Sequence, residues 1–132
     1  MTDPRPEIAD IIIDCVDPES VARFWADLLQ RPIAGRKGPY VWLRRTGAEI
    51  GIGFQRVAEP KAAKNRVHMD ISGPDVEALR RRVEALGGSR PPGFEDGGFL
   101  VLADPEGNEF CAVPVWPIEF DDLGRTDYQK RV

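Results

Sequence analysis

The sequence predicts an α+β domain assembled from two strand–helix–strand units. Three observations predict it. Residues 7–16, rich in β-branched side chains, lead directly into an amphipathic helical stretch. The same order of apolar and capping residues returns 58 residues later. A polar stretch without apolar periodicity, residues 58–65, separates the two.

Residues 7–16 (EIADIIIDCV) read as a strand, and Asp17 as the N-cap of the helix that follows. Pro18 suits the first helical position, and Val21, Phe24, Trp25, Leu28 and Leu29 form one apolar face. Arg31-Pro32 closes this helix, and residues 35–39 read as a basic, glycine-containing turn. Residues 40–44 (YVWLR) and 50–57 (IGIGFQRV) read as two strands joined by a turn at Thr46-Gly47. Ile50, Ile52 and Phe54 alternate with Gly51, Gly53 and Gln55, so Gln55 faces away from the aliphatic side chains. Glycine inside a strand is costly unless another group approaches closely there.

After the linker, residues 66–72 (RVHMDIS) read as a strand. Pro74-Asp75 opens a helix carrying Val76, Leu79, Val83 and Leu86, which Gly87-Gly88 stops. Residues 99–103 read as a strand, 104–108 as a turn and 109–113 as the last strand. Residues 116–132, acidic and then basic, read as a wrapping arm or a partly disordered tail. The repeat aligns Asp10 with His68, Ile13 with Ile71, Asp17 with Asp75, Val21 with Leu79 and Leu28 with Leu86, each pair 58 residues apart. Neither unit can bury both faces of a small sheet alone. Side by side they are expected to make one curved sheet, with helices outside and a cleft inside.

A length of 132 residues suits one domain, expected over residues 1–115 with modules at 7–57 and 66–113, followed by the tail. A net charge of −4 argues against a nucleic-acid-binding surface but not against an anionic ligand, for which one cation is enough. Two cysteines, Cys15 and Cys111, are too few for a disulfide framework and are expected to be buried free thiols. No stretch reaches the ~18 apolar residues of a membrane span. Residues 1–4 have neither a basic nor an apolar leader region, so a cytoplasmic protein without a membrane partner is expected.

The opening Asp10-Ile-Ile-Ile-Asp-Cys-Val-Asp17-Pro with Phe24-Trp25, the second opening His68-Met-Asp-Ile-Ser-Gly-Pro-Asp75, and the closing Asp104-Pro-Glu-Gly-Asn108-Glu-Phe-Cys111 together resemble the vicinal oxygen chelate superfamily. This is the family of glyoxalases, bleomycin-resistance proteins and certain dioxygenases. Phe54-Gln-Arg-Val57, Glu59-Pro-Lys61 and Lys64-Asn-Arg66-Val-His68 resemble its glyoxalase-like branch common in actinobacteria. The resemblance spans about residues 7–115, and the DPEGNEF turn is its most specific part. It implies paired βαβββ modules around a U-shaped cleft, a small-molecule ligand and a homodimer. In metal-using members it also implies four side chains holding one divalent ion. Carried over, those positions are Asp10, Gln55, His68 and Cys111. His68 matches the family pattern, whereas Asp10 stands for a usual His, and Gln55 and Cys111 each stand for a usual Glu.

His68, the only histidine, is a candidate metal ligand or general base, since an unperturbed imidazole titrates near neutrality. Asp10, His68 and Cys111 form an N/O/S set acceptable to zinc or iron, and manganese and nickel are further candidates. Asp14 and Asp70 lie at even spacing from Asp10 and His68, so they share the cleft-facing sides of their strands. Buried there, they need partners, for which Arg44, Arg56 and Arg66 are candidates. Trp42, Phe54 and Phe99 are candidate ligand-stacking rings beside Asp14 and Arg66. The run Lys61/Lys64/Arg66 reads either as a solvated linker or as a gate for an anionic ligand. Three functions stay open. The first is a metal-dependent lyase, isomerase or dioxygenase-type enzyme. The second is a metal-free, drug-sequestering binding protein. The third is a metal-free acid–base enzyme using His68 with Asp70 or Asp14.

Overall fold

Two aspartates set where the helices begin. In the computed structural model, which describes residues 3–94, 98–114 and 119–125, the Asp17 carboxylate accepts from the Ser20 N–H at 3.2 Å, and the Asp75 carboxylate from the Ala78 N–H at 3.1 Å. Each satisfies a backbone donor that the first helical turn leaves open. Donors and acceptors alike are 58 residues apart, so the repeat read from the sequence extends to individual hydrogen bonds.

The chain forms two units, 1–60 and 61–132. The first contains β1 (Asp10–Cys15), α1 (Pro18–Leu29), β2 (Ile33–Lys37), β3 (Tyr40–Leu43) and β4 (Gly51–Arg56). Its sheet runs β1-β4-β3-β2, with β1 and β4 parallel and the other pairs antiparallel. The second contains β5 (Asp70–Ser72), α2 (Val76–Ala85), β6 (Leu100–Ala103) and β7 (Glu109–Val113), in the sheet order β5-β7-β6. Here too the first and last strands run parallel. The architecture is α+β, with two small mixed sheets and two helices.

Two elements differ from expectation. Residues 35–39 were expected as a turn, but β2 runs through Lys37 and pairs with β3 after a bulge between Ile33 and Gly35. The reversal falls at Gly38, whose φ of +56° is the left-handed conformation that favours glycine. In the second unit the strand expected over 66–72 shortens to Asp70–Ser72. Between α2 and β6, the described residues form only an isolated bridge from Ser89 to Ala103. Pro91 and Pro92 follow Ser89 closely, and a residue without an N–H cannot extend the ladder.

In the first unit, Val21, Ala22, Phe24 and Trp25 of α1 are buried with Val41, Leu43, Ile52 and Phe54 of the sheet. Phe24 and Trp25 meet edge to face at 5.3 Å. The opposite face of β4 explains its glycines. A Cβ at Gly53 would sit 2.6 Å from Trp42 Cε3, and one at Gly51 would run into the Asp10 carboxylate. The second unit buries Val83 of α2 with Leu100, Leu102, Phe110 and Ala112. Both cysteines are buried free thiols. Among the described residues no helix is long and apolar enough to cross a membrane.

Candidate functional site

The second sheet aligns three side chains in one row. Register places Asp70 of β5 beside Cys111 of β7, and Cys111 beside Val101 of β6. The Cys111 N–H donates to the Met69 carbonyl at 2.9 Å, carrying the ladder one residue beyond β5. His68 therefore enters just ahead of the strand on the side of Asp70, and its Nε2 stands 3.5 Å from Asp70 Oδ1. Donor atoms of His68, Asp70 and Cys111 all lie within 4.8 Å of one another. His68 and Asp70 remain 43% and 37% exposed, while Cys111 is buried.

Against this row lies a cavity of about 210 Å³, lined by His68, Cys111, Val101, Phe94, Phe99 and Phe110, with Lys64 and Glu109 as its charged members. Burial pushes the Cys111 thiol above its ordinary range and the Asp70 charge pushes it further, while Lys64 works in the opposite direction. The thiol is therefore neutral at pH 7 until another cation arrives. Burial would likewise raise Glu109, but the Asn65 N–H at 3.0 Å and the Lys61 ammonium at 2.9 Å outweigh it and hold this carboxyl below the usual glutamate range. Of the run Lys61/Lys64/Arg66, read either as solvated or as a gate, Lys61 is thus fixed to β7 through Glu109, together with the neighbouring Asn65. The signal in the sequence was an acidic residue opening an otherwise apolar strand, EFCAV.

The DPEGN turn turns out to be scaffold. Asp104 is 2% exposed, and its carboxylate accepts from the Glu106 N–H, the Asn108 N–H and the Asn108 side-chain amide, all at 3.0 to 3.2 Å. Gly107, with φ +86°, closes the loop by donating to the Asp104 carbonyl at 2.9 Å. This aims β7, and with it Cys111.

The remaining sequence candidates divide by unit. His68, Asp70, Cys111 and Phe99 come together in the second. Arg66 is exposed and is not part of the cavity lining. Asp70 faces His68 rather than an arginine. In the first unit Asp10, Asp14, Gln55 and Trp42 share one sheet face, with Gln55 beside Asp14 and Trp42 stacked on Tyr40 at 6.0 Å. Phe54 alternates to the other face and is 0% exposed, so its ring is core. Gln55 and Cys111, the last-strand positions carried over from the family, do not stand one 58-residue step apart. Fifty-eight residues before Cys111 stands Gly53, and before Asp70 stands Ile12. The second unit places donors where the first places glycine and isoleucine.

The sequence profile described as a glyoxalase-like domain matches residues 10–113. The chain belongs to this glyoxalase-like family, within the vicinal oxygen chelate superfamily. No curated protein matches it. Among solved structures, this glyoxalase-like chain resembles a glyoxalase-related enzyme from Fulvimarina pelagi, with 21% identity and a TM-score of 0.60, covering 91% of this chain and 96% of that one. It also resembles a glyoxalase/bleomycin resistance protein/dioxygenase family enzyme from Burkholderia phytofirmans PsJN, with 17% identity, a TM-score of 0.63 and coverages of 81% and 97%. The trypanothione-dependent glyoxalase I of Leishmania major is similar at 17% identity and a TM-score of 0.65, with coverages of 83% and 86%. Likeness at these identities establishes the fold.

Proposed function

We propose that this glyoxalase-like protein handles a small molecule in the cavity of its second unit, at a divalent metal held by His68, Asp70 and Cys111. The observation that carries the reading is the grouping of one nitrogen, one carboxylate and one sulfur donor within 4.8 Å at the wall of an otherwise apolar cavity. Ligands about 2.0–2.3 Å from zinc stand roughly 3.3–3.8 Å apart in a tetrahedron, and three protein donors leave the fourth position open. The 3.5 Å between His68 and Asp70 already meets that spacing. Zinc and iron accept such a mixed donor set. A bound cation would also draw off the Cys111 proton, reversing the effect of burial and of Asp70. The metal would supply Lewis acidity toward a ligand oxygen. Phe94 and Phe99 supply apolar surface beside it and keep water from one side of the ligand.

A second reading is favoured by the raised Cys111 thiol. A metal-free cavity with a neutral, weakly polar sulfur suits simple sequestration of an apolar ligand, with His68 and Asp70 as hydrogen-bonding groups. Metal content decides between them. Protein purified without a histidine tag or chelator is expected to carry about one zinc, iron, manganese or nickel per chain, lost in His68→Ala. Absence of metal, with no thermal shift on adding any of the four, would overturn the first reading in favour of the second.

A further inference from the structure

We infer that the ligand of this cavity is a single-ring or similarly small apolar molecule carrying one carboxylate, and that Lys64 binds that carboxylate. The inference rests on the cavity being the ligand site, as proposed above, but not on a metal. Size comes first. A cavity of about 210 Å³ lies below the ~300–1,000 Å³ of drug-sized sites, so a single ring matches its size better than a polycyclic ligand does. Chemistry comes second. Phe94, Phe99 and Val101 give it apolar walls, and flat rings are held well by aromatic edges and faces.

Charge comes third. Of the two lysines on this segment, Lys61 is engaged with Glu109 at 2.9 Å. Lys64 lines the cavity, yet its one hydrogen bond among the described residues goes to the carbonyl of its neighbour Asn65, at 3.2 Å. No carboxylate of the described residues lies within ion-pair distance of it. Glu109, the acidic group of the lining, is already taken by Lys61 and the Asn65 N–H. The Lys64 ammonium also stands near enough to Cys111 for its charge to favour the thiolate. An apolar cavity whose Lys64 has no carboxylate partner among the described residues is complementary to an amphiphilic anion.

The test is equilibrium binding of phenylacetate and of its neutral isostere phenylacetamide to metal-stripped full-length protein, followed by calorimetry and by shifts of amide resonances. Phenylacetate is expected to bind roughly tenfold more tightly than the amide, as one charge-assisted hydrogen bond provides. Lys64→Met should abolish that preference while leaving the amide affinity within about twofold, and Lys64→Arg should keep the preference. Equal binding of acid and amide to the native protein would overturn the role of Lys64 while leaving the cavity as a ligand site. Binding of neither would overturn the cavity reading and this inference together. Loss of both ligands in Lys64→Met, with Lys64→Arg unchanged in stability but lacking preference, would also overturn it.

Discussion

Asp104 shows how much one side chain can carry without touching a ligand. Its carboxylate, almost wholly buried, holds two backbone N–H groups and one side-chain amide. Truncation leaves those part-buried donors without their shared acceptor, which costs more than losing a typical exposed bond. Asp104→Ala is expected to lower stability by about 2–4 kcal/mol, read from the urea midpoint, while Asp104→Asn, which keeps one acceptor oxygen, should lose roughly half of that. Equal stability of all three would show that the turn holds itself without the carboxylate. Position 104 was legible in the sequence as a turn, because Asp, Gly and Asn at that spacing are turn residues. Its burial was not, since nothing local marks an aspartate as buried. Gly51 and Gly53 were legible as sites of close approach, but not what approaches: Asp10 comes from β1, remote in sequence, and Trp42 meets Gly53 only through the pairing register of β3 with β4.

At the scale of elements, periodicity and caps carried well and edges did not. Asp17 and Asp75 cap the helices read from them, because an N-cap depends on bonds within four residues. β2 escaped notice because its pairing depends on β3 and a bulge, not on its own composition. The run Lys61/Lys64/Arg66 was open between solvated linker and gate, and the attachment of Lys61 and Asn65 to β7 through Glu109 is a tertiary fact. Lys61 and Glu109 are 18% and 12% exposed as side chains, well below the exposure at which ion pairs contribute little. Glu109→Gln is expected to cost about 1–2 kcal/mol at neutral pH. Glu109 has a lowered folded-state pKa, so its contribution is full above the ordinary glutamate range and is lost as pH falls through the lowered value. The difference in melting temperature between native protein and Glu109→Gln should thus be widest near neutrality and shrink on acidification. A gap that stays constant from neutral to acid pH would mean that the carboxylate charge contributes nothing.

For the whole molecule, the repeat was legible and its divergence was not. Both units run their first and last strands parallel, with the same 58-residue step in the pairs Ile13–Phe54 and Ile71–Ala112. That step brings Asp70 and Cys111 together where the first unit has Ile12 and Gly53, so the two halves are alike in architecture and unlike in chemistry. The donor set carried over from the family, Asp10, Gln55, His68 and Cys111, draws equally on both halves. The set grouped in the second unit is His68, Asp70 and Cys111. The two sets make different predictions for metal linkage. Metal that binds only the folded chain stabilises it by about 2.7 kcal/mol at a hundredfold excess over its dissociation constant, several degrees in melting temperature. If the second-unit set is the ligand set, zinc should raise the melting temperature of the native protein, Asp10→Ala and Gln55→Ala alike, and Asp70→Ala and Cys111→Ala should each abolish most of the rise. If instead Asp10→Ala or Gln55→Ala removes the shift while Asp70→Ala retains it, the family's two-module ligand pattern holds and Asp70 is only a neighbour of His68. Each variant is compared with its own metal-free state, so a general loss of stability cancels and only the ligand's contribution is read.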